Sequence, residues 1–327
     1  MKNVMNMQKG LFLSILMFSL MMGLSSNSFL GLWMSMEINL MIIIPIFSLN
    51  ENMNNEKSMM IYFLIQTISS ATTIMFINIL SMNQETNLNK VYSFLIFLSM
   101  MMKLGVFPMH FWVLNVMENL NWDMCFILMT VQKILPIIFI ILMTQETLYI
   151  LISLVNSIFA SMSGLTIYSM RKILGFSSIN HLSLILLSII LSKKLFKLYF
   201  LIYSINNLFL IKVFKNMNTN FLHEMFNNSK FNFLTKIVIM TSLFSLMGIP
   251  PFLGFMPKMM VFIKMTELMF IIPMTTLIFF NIISTFFYMR MSLTNFILSL
   301  NTKKNFKMKK NNFIPLLIIF SPFAMIL

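Results

Sequence analysis

The sequence predicts an all-α, polytopic membrane protein, and three observations carry that prediction. Only 10% of the 327 residues are charged while 58% are hydrophobic, whereas a soluble domain carries about 25% charged residues. So few charges cannot clothe a water-facing surface. The mean hydropathy is +0.87, and the apolar residues fall in runs long enough for spanning helices of ~20 residues. Gly and Pro are scarce, at 8 and 9, which favours helices joined by short connections.

About eleven spans are expected, at 10–25, 28–48, 58–82, 91–112, 124–143, 147–168, 173–192, 195–215, 237–263, 268–290 and 312–327. The first is short and the last reaches the terminus. Gly10–Leu24 has an apolar core after Lys2 and Lys9, but no small-residue cleavage site follows it, so no cleaved leader is expected.

The net charge is +14, which in a soluble protein would raise the question of nucleic acid. Here the cations sit between apolar runs, so topology explains them and no nucleic-acid partner is expected. With eleven spans, fifteen loop Lys and Arg fall on the side of the N-terminus and five on the other: Lys90, Lys193, Lys194, Lys197 and Lys264. That bias places the N-terminus on the matrix or cytoplasmic side. The basic run KKNFKMKK at 303–310 reads as an anchor to anionic phospholipid on that side.

The single cysteine, Cys125, rules out an internal disulfide framework and a cysteine cage for zinc or iron–sulfur. There is no Gly-rich dinucleotide loop, no Walker loop, no HExxH and no carboxylate cluster for metal. No cofactor or metal is expected on this chain.

Three of the 23 Lys and Arg belong to no loop: Lys103, Lys133 and Lys258. Glu37, in LWMSMEINL, is the one carboxylate that likewise falls inside an apolar run. A charge at mid-bilayer costs ~2.5–3.5 kcal/mol on insertion scales, so four unrelieved charges would cost about 10 kcal/mol. They must face protein, water or one another. A structural ion pair would account for Glu37 and one lysine but not for three. Burial disfavours the charged form of an amine, so lysines at this depth are suited to taking up and releasing protons. His181, in SSINHLSL, is read two ways, as a further relay group or as a satisfied polar spot between helices. His110 is expected near an interface and His223 in a solvated loop.

Two spans carry breaks. The fourth has Gly105 and Pro108 just after Lys103, and the ninth has Pro250, Pro251, Gly254 and Pro257 before Lys258. Proline removes a donor and clashes with the preceding turn, and in lipid the freed carbonyls need protein or water partners. Broken helices beside ionisable residues are typical of ion-translocation sites. Their spacing of five spans makes them cross in opposite directions, as two inverted five-helix repeats would, at about 10–143 and 147–290, followed by a C-terminal helix at about 312–327. The whole is one transmembrane domain.

The stretches MKLGVFPMHFWV (102–113), QKILP (132–136), RKILGFSSINH (171–181) and GIPPFLGFMPK (248–258) resemble, in order and spacing, the antiporter-like chains of NADH-ubiquinone oxidoreductase, in particular the chain 2 family. The ending SPFAMIL is also similar, and the likeness covers nearly the whole chain. The 38 Met also suit a genome rich in Met codons, as in animal mitochondria. The resemblance implies a multi-pass subunit of the inner mitochondrial membrane that takes part in proton-translocating NADH:ubiquinone reduction. NADH, FMN, iron–sulfur clusters and ubiquinone would lie on other subunits. The neighbours would be other membrane-arm chains, chain 4 and the small membrane chains among them.

Residue by residue, the resemblance implies a proton relay of Glu37, paired with Lys103, then Lys133, then Lys258. Leu114 and Asn115 stand where the family often has Pro and Glu, and Met259 where it often has Trp, which puts the local shape of those loops in doubt but not the relay. Two rival readings remain at this point. A standalone cation–proton antiporter would be active alone in liposomes, and a purely structural subunit would lose assembly but not turnover when its lysines are changed.

Overall fold

The structure is a computed structural model that describes residues 2–48, 53–82, 86–143, 145–217, 219–227 and 233–301. The expected C-terminal span at 312–327 and the basic run at 303–310 lie outside the described residues. Among these residues the chain is helical, with one isolated bridge between Ser169 and Phe221. It divides into two compact units, Met1–Gln145 and Glu146–Leu327.

The first unit contains α1 (Lys2–Ser25), α2 (Phe29–Ser48), α3 (Met53–Met82), α4 (Thr86–Leu104), α5 (Phe111–Asn119), α6 (Trp122–Met129) and α7 (Val131–Leu142). α7 packs against α1, α2, α4 and α6, and α3 joins α2 to α4 and α5. Met60, Leu64, Ile68 and Met75 form an exposed apolar stripe along α3. Residues at such helical spacing share a face, and an apolar outer face suits a lipid solvent.

The second unit contains α8 (Glu146–Gly164), α9 (Met170–Leu191), α10 (Lys193–Met217), α11 (Leu222–Asn227), α12 (Phe233–Met247), α13 (Phe255–Glu267) and α14 (Ile271–Asn301). α9 is its centre, packed against α8, α10, α13 and α14 and buried on every side from Ile173 to Ser188. Its serines tolerate that burial because they bond back into their own helix. Ser177, Ser178, Ser183 and Ser188 each donate to the carbonyl three residues earlier, at 2.6–2.7 Å, which leaves no hydroxyl donor orphaned. At one end of the unit, Arg290 donates to the carbonyls of Gly164, the last residue of α8, and of Leu165 and Ile167 just beyond it, and lies 5.2 Å from the Tyr168 ring centroid.

Seven described helices are long and apolar enough to cross a membrane: Phe29–Ser48, Asn55–Met82, Trp122–Leu142, Glu146–Gly164, Met170–Leu191, Lys193–Met217 and Ile271–Thr294. Gly10–Ser25 and Lys236–Met247 are shorter apolar helices. The eleven expected spans are not all met on this measure, for physical reasons. α4 opens on the polar run TNLNK, and α12 and α13 are two halves of one interrupted apolar stretch.

Candidate functional site

Both expected breaks are present, and both are built the same way. α4 ends with Gly105 at φ 67° and α12 with Gly248 at φ 78°, the left-handed region that suits glycine. After α4, Gly105 N donates to Met102 O and Val106 N to Met101 O. After α12, Gly248 N donates to Ser245 O and Ile249 N to Phe244 O. Each pair is a Schellman closure, which satisfies some of the terminal carbonyls and leaves others needing partners.

Those remaining partners differ between the breaks. In the first, Gln66 of α3 donates to Lys103 O at 3.2 Å and Trp112 of α5 donates to Met102 O at 3.1 Å. In the second, the Lys258 ammonium itself donates to Leu246 O at 2.8 Å and Met247 O at 2.9 Å. A cation at a helix C-terminus is favoured by the helix dipole. The second break is therefore a seat for a protonated amine, and Lys258 is buried in it. Gly248 makes the seat, because a Cβ there would lie 2.8 Å from Lys258 Cδ and 3.3 Å from its Nζ.

The first unit gathers three of the expected residues. Lys103 is in the last turn of α4 and buried. Glu37 is half-buried in α2; its charge and that of Lys103 act on one another, and its Oε1 is buried without a hydrogen bond. Lys133 is buried in the first turn of α7. A further discontinuity lies directly before it, at Thr130, where φ is −120° and ψ −70°. It divides the expected fifth span into α6 and α7.

The sequence reading missed the polar groups around these charges. Tyr62 of α3 donates to Gln132 Oε1 at 3.0 Å, and Gln132 Nε2 donates to Asn39 Oδ1 at 3.1 Å. Tyr62 also lies within the field of Glu37. Uncharged amides inside apolar runs were the available signal. His110 is buried within the first break, between the rings of Phe107 and Phe111, while its chain neighbours Pro108, Met109 and Phe111 are exposed. Lys236, read as a loop cation, is buried in the first turns of α12. His223 is exposed on α11, as expected.

In the second unit His181 sits on the central helix α9, its Nδ1 2.9 Å from the Tyr199 hydroxyl. Its ring also meets Tyr203, with centroids 5.0 Å apart. Tyr199, Tyr203 and Tyr288 are all buried there. One turn of α9 is tied to α14 by Asn180 Nδ2, which donates to Asn281 Oδ1 and Ser284 Oγ, both at 3.1 Å. Among the described residues no three His, Cys, Asp or Glu gather as metal ligands, and the buried Cys125 thiol donates to Met117 O at 3.5 Å.

Residues 26–287 match the family described as NADH:quinone oxidoreductase/Mrp antiporter, transmembrane. The chain is 37% identical over 307 residues to a protein of Anopheles gambiae named NADH-ubiquinone oxidoreductase chain 2, covering 93% of this chain and 89% of that one. A protein of the same name from Locusta migratoria is 38% identical, over 80% of this chain and 78% of that one. Among solved structures, a chain of respiratory complex I from Thermus thermophilus shares the fold with a TM-score of 0.82 at 14% identity, covering 96% of this chain and 76% of that chain. The match over 26–287 and the near full-length kinship with chain 2 proteins place this chain in the NADH:quinone oxidoreductase/Mrp antiporter family of membrane proteins.

Proposed function

We propose that the chain is a core membrane-arm subunit of respiratory complex I, a component of the proton-translocating NADH:ubiquinone oxidoreductase in the inner mitochondrial membrane. Family membership and the name carried by relatives at 37–38% identity support this reading. The single observation that carries the chemistry is a buried lysine beside each of three helix discontinuities, Lys103, Lys133 and Lys258.

In this reading the chain holds no redox centre. NADH, FMN, iron–sulfur clusters and ubiquinone belong to other subunits, and their electron transfer changes the electrostatics at one end of the membrane arm. That change biases the attraction between Glu37 and Lys103. Separating buried partners leaves an uncompensated charge, which alters how readily Lys133 holds its proton. Lys258, seated on the carbonyl end of α12, is the exit station, and His181 is an additional relay group. Moving one charge against about 150–200 mV takes ~3.5–4.6 kcal/mol, a cost that electron transfer on the other subunits must meet. The N-terminus faces the matrix, and the flanking partners are chain 4, the small membrane chains and phospholipid.

Lys133→Ala tests the reading, measured as NADH-driven proton pumping in an assembled complex, with a bacterial host carrying the matching change as the practical route. Pumping lost in an intact complex supports the relay. Normal pumping makes Lys133 structural and the relay wrong. A standalone antiporter would instead move protons when the isolated chain is placed in liposomes.

A further inference from the structure

We infer that the outer groove between α10 and α13 is a binding site for one anionic phospholipid, its headgroup held by Lys194 and Lys264 and its acyl chains laid along the two helices. The inference rests on the membrane-arm reading above only for the membrane that surrounds the chain, and it is independent of the proton relay.

The headgroup end is an open cavity of about 350 Å³ where α10 begins and α13 ends, with Ser192, Lys194, Lys264 and Glu267 on its wall. Lys264 Nζ donates to Ser192 Oγ at 3.0 Å, which holds one ammonium at the rim. Lys193, Lys194 and Lys197 are exposed nearby, in the first turns of α10. Together these lysines are four of the five loop cations that the charge bias assigns to the cation-poor side of the membrane. The three on α10 also stand at the positive end of its dipole, where a cation is disfavoured. Glu267, exposed on the cavity wall, is the acidic exception, and four ammonium groups around one carboxylate keep the rim cationic. Lysines gathered on the disfavoured side and at the disfavoured helix end are offset by an anion seated among them.

From the cavity an apolar track runs along both helices. On α10 the exposed Leu198, Leu201 and Ile205 follow Lys194 at steps of four, three and four residues. On α13 the exposed Ile263, Met260 and Met256 precede Glu267 at the same steps. Such spacing keeps each set on one helix face. The two helices pack together, and Leu198, Met260 and Ile263 share the cavity wall, so the two exposed stripes border one groove. The inner face of α13, with Lys258, Val261 and Met265, is already buried. From Lys194 to Ile205 a helix rises ~16 Å, about half of a hydrocarbon core of ~30 Å, which is the depth of one leaflet. A cationic head above an apolar track one leaflet deep has the shape and polarity of an anionic phospholipid. A soluble anion matches only the head, and an apolar partner helix only the track.

The test reconstitutes the assembled complex in phosphatidylcholine vesicles that carry a trace of either photoreactive phosphatidylglycerol or photoreactive phosphatidylcholine, and maps the labelled peptides by mass spectrometry. Labelling of 198–205 and 256–263 by the phosphatidylglycerol in excess of the phosphatidylcholine is expected. Lys194→Gln with Lys264→Gln is expected to lower it by about thirtyfold, the weight of two lysines facing an anionic headgroup, and Lys194→Arg with Lys264→Arg to retain it. Where the paired Gln change fails to assemble, Leu201→Trp decides the matter: it fills the track from an exposed position and is expected to remove the labelling. Equal labelling by the two lipids overturns the site, as does labelling that neither the Gln pair nor Leu201→Trp alters. Both segments unlabelled in the intact complex would mean that a neighbouring chain covers the groove, and that also overturns it. Lys133→Ala is expected to label as the unchanged complex does, so the relay can fail while the lipid site stands, and the reverse. A chain missing from the purified complex would instead count against the membrane-arm reading.

Discussion

Adding one methyl group at Gly248 is the sharpest way to unseat Lys258. Gly248 has φ 78°, and a non-glycine residue in that region costs about 1–2 kcal/mol. The new Cβ would lie 2.8 Å from Lys258 Cδ and 3.3 Å from Cε and Nζ, so the lysine stem must move. That movement is expected to break one of its bonds to Leu246 O and Met247 O, at 2.8 and 2.9 Å. A hydrogen bond to a charged group contributes about 1.5–3 kcal/mol, so losing one reduces occupancy of the seat roughly 10- to 100-fold. NADH-driven pumping by Gly248→Ala complex in proteoliposomes is expected to fall by about tenfold or more, with assembly checked by native electrophoresis. Gly10→Ala is the control, since nothing lies within 4 Å of a Cβ at that position. An assembled Gly248→Ala complex that pumps at the normal rate would show that the seat has no part in translocation.

Three further changes probe separate pieces. Gln66→Leu strips the cap from Lys103 O and leaves a buried carbonyl unsatisfied, so heat inactivation of the complex should come earlier, by a loss of about 1–3 kcal/mol. Tyr199→Phe removes the hydroxyl held at 2.9 Å from His181 Nδ1; with His181 a relay group, pumping falls while the complex stays assembled, and an effect confined to thermal stability would make His181 a packing residue. Arg290→Ala gives up the bonds to Gly164, Leu165 and Ile167 in a half-exposed setting, so it should cost about 1–2 kcal/mol of thermal stability and leave protons per NADH unaltered. A changed ratio would count against a purely structural Arg290.

What the sequence made legible followed the chemistry of its residues. Gly105 and Pro108, and the run from Gly248 to Pro257, announce their breaks because proline and left-handed glycine have no place in a helix interior. Lysines inside apolar runs stand out because their cost is large. The Thr130 discontinuity was not legible. Threonine is tolerated in helices, and what marks this one is that its hydroxyl donates back to Phe126 O at 2.7 Å, a choice any helical threonine can make. Asn39, Tyr62, Gln66 and Gln132 were hidden for a related reason: a neutral polar side chain in a span is common, and only the fold shows which ones meet. The burial of His110 was not legible either, since it depends on its ring lying between Phe107 and Phe111 in the break.

The closure of α12 on Lys258 has an environmental consequence. The negative end of a half-helix normally meets an aqueous surface, where mobile ions dim it within a Debye length, ~30 Å at 0.01 M and ~8 Å at 0.15 M. Here that end is enclosed by protein, with Lys258 only 7% exposed, and no bath ion stands between the carbonyls and the ammonium. Exposed cations such as Lys193, Lys194 and Lys197 feel every change of ionic strength. The grip on Lys258 does not, so a swelling or shrinking organelle can dilute its salts without resetting this station.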